Sequence, residues 1–357
     1  MPDIDKLFRP LIKLGGSDLH MIEGQPPKIR LHGKIQALKH PVLDRAMMER
    51  YLGEICPADR WDHYLKNHDL DFASFMEDAG DGLSARFRTN YYFQQHGMAA
   101  VFRQIPSKIA TLKDLNLPDT LKKFAELRSG LVLCTGPTGS GKSTTLAALI
   151  DYINDTYARK IITIEEPIEF VHGNKKCTIC QREVGIDVHS FADGLKASTR
   201  QDADVVLVGE MRDLETIGLA VTAAAMGMLV FGTLHTNSAV KTVDRIIDVF
   251  PAEQQDQIRT MLADALKGVV AQLLLKKKGG GGRIAVNEIL IGSTGLSATI
   301  RENNIPNIRN IIQAGGREGM VLMDDAIARL LKQGVIDGEE AYAKATDKNR
   351  FEAHAPR

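Results

Sequence analysis

The sequence predicts an α/β protein in two parts: a small α+β module first, then a larger domain built on a mostly parallel sheet. Three observations predict it. Gly136-Pro137-Thr138-Gly139-Ser140-Gly141-Lys142-Ser143 fits G-x-x-x-x-G-K-[ST], a loop that cradles phosphate between a strand and a helix. From about residue 118, short apolar runs alternate with helical periodicity, the pattern of strands joined by crossover helices. Before residue 105, strand-like runs follow one another directly, which suits antiparallel pairing.

In chain order, residues 3–14 place Ile4, Leu7, Phe8, Leu11 and Ile12 on one helical face, and Gly15-Gly16 ends the helix. Strands follow at 17–22 and 28–31, separated by a turn at Gly24-Gln25-Pro26-Pro27. Helical patches near 44–54 and 57–66 precede strand-like runs near 69–76, 83–93 and 98–104. Strand alternation puts Arg86 and Arg88 on one face, with Arg103 on the next run. These arginines suit either a solvated face or a phosphate clamp, because a guanidinium is permanently charged and binds phosphate with two parallel N–H bonds. A linker at 106–118 leads to strands at 131–135, 160–165, 204–208, 228–234, 268–275 and 283–291, the last two joined by a lysine- and glycine-rich tip. Helices are expected at 293–301, 306–314, 320–333 and 337–345.

Composition narrows the function. Forty-five Lys+Arg balance 45 Asp+Glu, so no bulk charge draws the chain to nucleic acid or to an anionic membrane. The opening MPDIDKLFRP has no apolar signal segment, and no run approaches 18 apolar residues, so a cytoplasmic protein with no direct membrane insertion is expected. Cys177 and Cys180 form a C-x-x-C within a strand-like segment. No second Cys/His pair accompanies them at zinc spacing, so small strand residues are the expectation.

The phosphate loop sits in the context its chemistry needs. The run Leu131-Val132-Leu133-Cys134 precedes it, and Leu146, Leu149, Ile150 and Ile153 follow at helical spacing. Backbone N–H groups and a helix N-terminus would then surround a nucleoside triphosphate. Lys142 is expected on the β- and γ-phosphates, and the Ser143 hydroxyl on Mg²⁺. Acidic residues end two more strands: Glu165-Glu166-Pro167-Ile168-Glu169 after 161–164, and Gly209-Glu210 after 204–208. A fourth strand delivers His235-Thr236-Asn237. Strand carboxyl ends are where open α/β sheets collect ligands.

These motifs resemble the Walker A, Asp-box, Walker B and His-box segments of secretion-type ATPases, most closely their pilus-retraction members. Gln181-Arg182-Glu183-Val184-Gly185, Arg212-Asp213-Leu214-Glu215-Thr216 and Asp244-Arg245-Ile246-Ile247-Asp248-Val249-Phe250-Pro251 extend the likeness, as does Ser17-Asp18-Leu19-His20 with Gly24, Pro27, Arg30 and Gly33. The resemblance implies a PAS-like domain at 1–108, a RecA-like P-loop ATPase core at 109–291 and a C-terminal helical part of that ATPase domain at 292–357. It implies a homohexamer that hydrolyses ATP with Mg²⁺ and works on an inner-membrane pilus platform protein (PilC-like), and indirectly on pilin, from the cytoplasmic face of the inner membrane.

By position, the resemblance puts 136–143 with Thr144 around the phosphates. Glu169 organises the attacking water, Glu210 is the Walker B carboxylate with a metal role beside Ser143, and His235 lies near the γ-phosphate. Arg88 and Arg103 close onto the phosphates, with Arg86 beside them, and Arg200 is a further nucleotide contact. The family usually has Glu-Asp-Pro where this chain has Glu165-Glu166-Pro167, so Glu166 takes the place of an Asp. Pilus-extension and type II secretion relatives carry a longer N-terminal region and a tetracysteine zinc site, neither of which is present here. An accessory retraction ATPase is the near alternative. A nucleic-acid translocase is disfavoured by the neutral charge, and a non-hydrolysing regulator by the strand-end carboxylates.

Overall fold

The structure, a computed structural model, describes residues 2–31, 33–77, 82–105 and 108–355. The chain divides into two compact units: Met1–Lys108 with Pro167–Val171, and Ile109–Glu166 with His172–Arg357.

The first unit opens with α1 (Asp5–Lys13), then β1 (Asp18–Ile22), β2 (Lys28–Leu31), β3 (Lys34–Ala37), α2 (Arg45–Gly53), α3 (Ala58–Asn67), β4 (Asp69–Met76), β5 (Ala85–Gln94) and β6 (Gly97–Ile105). Its six strands lie in the order β3-β2-β1-β6-β5-β4, every neighbour antiparallel. One sheet face carries Leu19, Met21, Phe72, Phe87, Tyr91 and Phe102, which bury against Leu7, Phe8 and Leu11 of α1 and the apolar sides of α2 and α3. Phe8 stacks on Phe87 with ring centroids 4.2 Å apart and meets Phe102 edge-on, the offset and T-shaped geometries aromatic quadrupoles favour. Period-two alternation sends Arg86 and Arg88 to the opposite face, as expected. The strand β3 is absent from the sequence expectation. All four of its residues are exposed at the sheet edge, so it has no buried periodicity to read.

The second unit contains α4 (Thr120–Glu126), β7 (Gly130–Thr135), α5 (Lys142–Thr156), β8 (Lys160–Glu165), β9 (Thr178–Glu183), α6 (Phe191–Ser198), β10 (Val205–Val208), α7 (Leu214–Ala225), β11 (Leu229–Leu234), α8 (Ala239–Asp248), α9 (Ala252–Ala265), β12 (Leu266–Lys276) and β13 (Arg283–Ile291). Four helices follow: α10 (Thr294–Arg301), α11 (Ile308–Ala314), α12 (Met323–Lys332) and α13 (Gly338–Lys344). The seven-stranded sheet has the order β13-β12-β7-β11-β10-β8-β9 and is parallel except for the β12–β13 hairpin.

Both faces of this sheet are covered, which explains the continuous apolar runs of its central strands. Leu131, Leu133, Ile162, Ile164, Val206 and Val208 join the core under α6 to α10. Val132, Cys134, Ile161, Val205, Leu207 and Phe231 join the core under α4 and α5. The helix expected at 320–333 starts at Met323. Gly319 turns the chain at φ +100°, and Val321 then pairs with Ile289 as an isolated antiparallel bridge, which postpones the helix.

A close backbone approach gives a direct test of this packing. A Cβ on Gly268 of β12 would lie 2.2 Å from the ring of Phe124, a fully buried side chain of α4. Gly268→Ala should cost about 1–3 kcal/mol of stability, as overpacked cores do, read as a lowered denaturant midpoint at unchanged slope.

Candidate nucleotide site

Parallel pairing brings the carboxyl ends of β7, β11, β10 and β8 to one edge of the sheet in that lateral order. That edge therefore presents, side by side, the phosphate loop after Thr135, His235, Glu210, and the pair Glu165 and Glu166. The sheet topology alone gathers residues that are up to about a hundred positions apart in sequence.

The loop from 136 to 143 has the backbone its glycines permit. Gly136, Gly139 and Gly141 sit at φ +146°, +77° and +85°. A Cβ on Gly136 would stand 2.3 Å from the Gln272 carbonyl oxygen, so that position also has no room for a side chain. The helix α5 begins at Lys142 with no side-chain cap, because Gly141 holds the cap position. Its first-turn N–H groups are those an anion would satisfy. Lys142 is buried, and its Nζ donates to the carbonyls of Gly136 (2.8 Å) and Pro137 (3.2 Å), folding the ammonium over the loop. Pro137, Thr138, Gly139 and the Ser143 side chain are exposed.

A buried amide holds this loop from below. Gln272 of β12, 1% exposed, donates from Nε2 to the Ser140 carbonyl (2.7 Å). Its Oε1 accepts from the Thr145 hydroxyl (2.8 Å) and from Nδ2 of Asn287, directly opposite on β13 (2.9 Å). Beside the first turn of α5 a cavity of about 330 Å³ is lined by Asn116, Gly141, Thr144, Leu274, Lys277 and Arg283, among others.

The acidic edge is electrostatically tied. Arg212 grips Glu210 through Nε (2.5 Å) and Nη2 (2.6 Å), and His235 Nε2 lies 2.9 Å from the same carboxylate. The Arg212 guanidinium, helped by His235, outweighs partial burial and holds the Glu210 carboxyl below its usual range. Arg212 also lies 3.7 Å from Glu166, which is exposed. Glu165 is engaged differently, accepting from the Thr163 hydroxyl (2.7 Å) and from Gln181 Nε2 (3.2 Å) within the sheet. Gly209 keeps Glu210 in place, its N–H bonded to the Ile164 carbonyl and its carbonyl accepting from the Thr233 hydroxyl.

Glu169 falls in Pro167–Val171, the segment grouped with the first unit, and is half-buried. On that unit's sheet, Arg88 and Arg103 stand directly opposite each other on β5 and β6. Arg88 donates to Asp71 (2.6 Å) and Arg103 to Asp18 (2.9 Å). Burial pushes the Asp18 carboxyl up, but the Ser17 hydroxyl and Arg103 together bring it below its usual range.

Arg200 lies apart from the residues gathered at that edge. Arg200 follows α6 in an exposed turn and precedes Asp204, whose N–H bonds to the Lys160 carbonyl at the start of β8. That is the amino edge of the parallel sheet, opposite the phosphate loop, so Arg200 does not join the loop of its own chain. Cys177 is buried with its thiol donating to the Tyr157 carbonyl, whereas Cys180 is exposed.

Gln272, Asn287 and Glu288 are absent from the sequence-based set. Gln272 did leave a signal, a lone amide within the apolar run Val269-Val270-Ala271-Gln272-Leu273-Leu274. A polar group there must find buried partners. Glu288, next along β13, is buried and accepts from the N–H groups of Ala239 (2.8 Å) and Met323 (3.2 Å).

Mg²⁺ needs oxygen ligands but keeps several waters, so one or two protein oxygens beside phosphate suffice. The exposed Ser143 hydroxyl at the start of α5 and the Glu210 carboxylate on the same sheet edge fit that requirement. Among the described residues, no group of three or more His, Cys, Asp or Glu side chains is placed to hold a metal by itself.

A doubly wound sheet with a glycine-cradled helix N-terminus and charged strand ends defines a P-loop nucleotide-binding protein. Residues 81–341 match the sequence profile of the Type II/IV secretion system protein family, and the chain belongs to that family. It is 45% identical over 349 residues to the type IV pilus retraction ATPase PilT of Pseudomonas aeruginosa, covering 98% of this chain and 100% of that one. It is 38% identical to the type IV pilus ATPase PilU of the same organism, covering 97% and 90%. A crystal structure of the pilus retraction motor PilT with bound ADP superposes with a TM-score of 0.90 at 42% identity, over 99% of each chain.

Gln272→Leu should separate the loop's support from the loop itself. It strands the Ser140 carbonyl, the Thr145 hydroxyl and Asn287 in the interior, at a cost of about 1–3 kcal/mol in stability. Affinity for a fluorescent ATP analogue should fall by roughly tenfold, equivalent to about 1.4 kcal/mol. Unchanged affinity in the folded variant would mean the loop holds its shape unaided.

Proposed function

We propose that this chain is a Mg²⁺-dependent ATPase that powers type IV pilus retraction as a homohexameric ring. The observation that carries the reading is similarity along the whole chain to a pilus retraction ATPase, joined to a phosphate loop with charged residues at the same sheet edge. ATP binds with its phosphates against the N–H groups of 139–144. Lys142 leaves its carbonyl partners for the β- and γ-oxygens. The cavity beside Thr144, with Lys277 and Arg283 on its wall, takes the nucleoside.

Bound Mg²⁺, held by Ser143 with Glu210 nearby, would neutralise charge on the phosphate oxygens. Glu210 is kept ionised by Arg212 and works as a base or as a water-orienting acceptor. Glu169 orients the attacking water and Glu166 adds negative charge beside Arg212. His235 reports on the γ-phosphate through its contact with Glu210. Arg88 and Arg103 exchange their Asp71 and Asp18 partners for phosphate when the nucleotide arrives. That exchange couples nucleotide state to domain movement.

The ring would act on an inner-membrane platform protein (PilC-like) from the cytoplasmic face and draw pilin out of the fibre. Among the described residues no helix is long and apolar enough to cross a membrane. The 38% identity to PilU supports an accessory retraction ATPase as the second reading.

Glu210→Gln should reduce phosphate release by roughly 100-fold or more, the scale of losing a positioned base. ATP binding should remain within a few-fold. Turnover retained in this variant would remove Glu210 from the mechanism.

A further inference from the structure

We infer that Glu288 is a positioning residue for hydrolysis: its buried carboxylate fixes the His235 loop and ties it to the C-terminal helices. The inference rests on the ATPase reading above, and assigns to that reaction a residue remote from the phosphates.

Glu288 lies on β13, one register step from the pair Gln272–Asn287 that supports the phosphate loop, and it faces Ala271. Only 6% of it is exposed. Each carboxylate oxygen is spent on a helix N-terminus: Oε1 on the N–H of Ala239, first residue of α8, and Oε2 on the N–H of Met323, first residue of α12. A carboxylate between two positive helix ends is a favourable arrangement, and here it is also necessary. The residue before α12, Leu322, offers no side-chain cap, and Ser238, before α8, spends its hydroxyl on the N–H of Lys241. Without Glu288, two buried N–H groups would lose their acceptors.

The link to chemistry is short. Four residues, His235 to Ser238, join the end of β11 to Ala239. They are folded onto the first turn of α8, with the Thr236 and Thr242 hydroxyls 2.7 Å apart and Thr242 also bonded to the Ser238 carbonyl. His235 at the far end touches Glu210 at 2.9 Å. The rotation of the first turn of α8, which Glu288 sets, therefore sets where the imidazole stands. On its other side Glu288 holds the start of α12, whose Asp324 in turn binds the backbone N–H groups of Thr346 and Asp347. One carboxylate thus joins the last part of the chain to the catalytic edge.

Two substitutions weaken the same anchor from opposite ends. Glu288→Gln keeps the shape but removes the second acceptor and the charge. Ala239→Pro removes the N–H donor and puts ring carbons in its place at a fully buried position, which forces Glu288 off the start of α8. Proline is tolerated at a first helical position, and Ser238 is already extended (φ −154°, ψ 158°), as a residue before proline must be. The experiment measures steady-state ATP hydrolysis, binding of a fluorescent ATP analogue and hydrogen exchange on the full chain, with wild type alongside.

Both variants should lower kcat between roughly 10- and 100-fold, the scale of a misplaced catalytic group, with KM and analogue binding changed less than about threefold. Exchange should quicken in peptides covering 235–245 and stay unchanged over 130–150. Wild-type kcat in either folded variant overturns the inference. So does a proportional loss of binding with faster exchange everywhere, which would make Glu288 a general core residue. If wild type itself releases no phosphate, the ATPase reading fails instead.

Discussion

The second unit depends on a buried amide. Gln272 has to satisfy both ends of its side chain in a place water does not reach, and it does so with Ser140, Thr145 and Asn287. A buried amide without partners would cost more than its bonds return, which makes these three contacts necessary. Because both ends of Gln272 are bonded, a loop of glycines that would otherwise sample many conformations is held from β12. Gly136 closes the arrangement from above, since only a residue without a Cβ can lie against the Gln272 carbonyl. Preorganisation of the phosphate loop is thus a property of β12 and β13 as much as of the loop.

The same hairpin organises the rest of the catalytic edge. Consecutive residues of β13 serve two loops: Asn287 supports the phosphate loop through Gln272, and Glu288 holds the first turn of the helix after His235. The parallel strands between them set the lateral order, and the Glu210–Arg212–Glu166 ion pairs and His235 fill the edge. In the first unit an antiparallel sheet buries one face under three helices, leaving the other for a charged row in which Arg88 and Arg103 stand side by side. Acidic partners on the same sheet hold those two arginines, Asp71 for Arg88 and Asp18 for Arg103.

Local signals carried much of this. The phosphate loop was legible because its residues are contiguous and their chemistry is demanded by a backbone shape. The central strands were legible because burial on both faces makes each a short apolar run bounded by turn residues. Arg86 and Arg88 shared a face because strand period is a local property. What escaped needed three dimensions. Gln272 reaches Ser140 across 132 positions and Thr145 across 127, and only strand order reveals that they meet. Glu288 reads as an isolated charge in an apolar strand until the starts of α8 and α12 converge on it. Arg200 entered the set through the resemblance, from its place at the end of the helix before β10. The direction of that strand puts its turn at the amino edge of the sheet. β3 was missed because an exposed edge strand carries no burial pattern at all.

The proposed function requires that this site turn over ATP and do so within a ring. The direct measurement is phosphate release from MgATP per chain as protein concentration is raised, with the mass of the assembly determined in the same samples. Specific activity should climb in step with hexamer formation and level off once the ring is complete. Full activity in a stable monomer, or a complete ring that binds ATP and releases no phosphate, would contradict it.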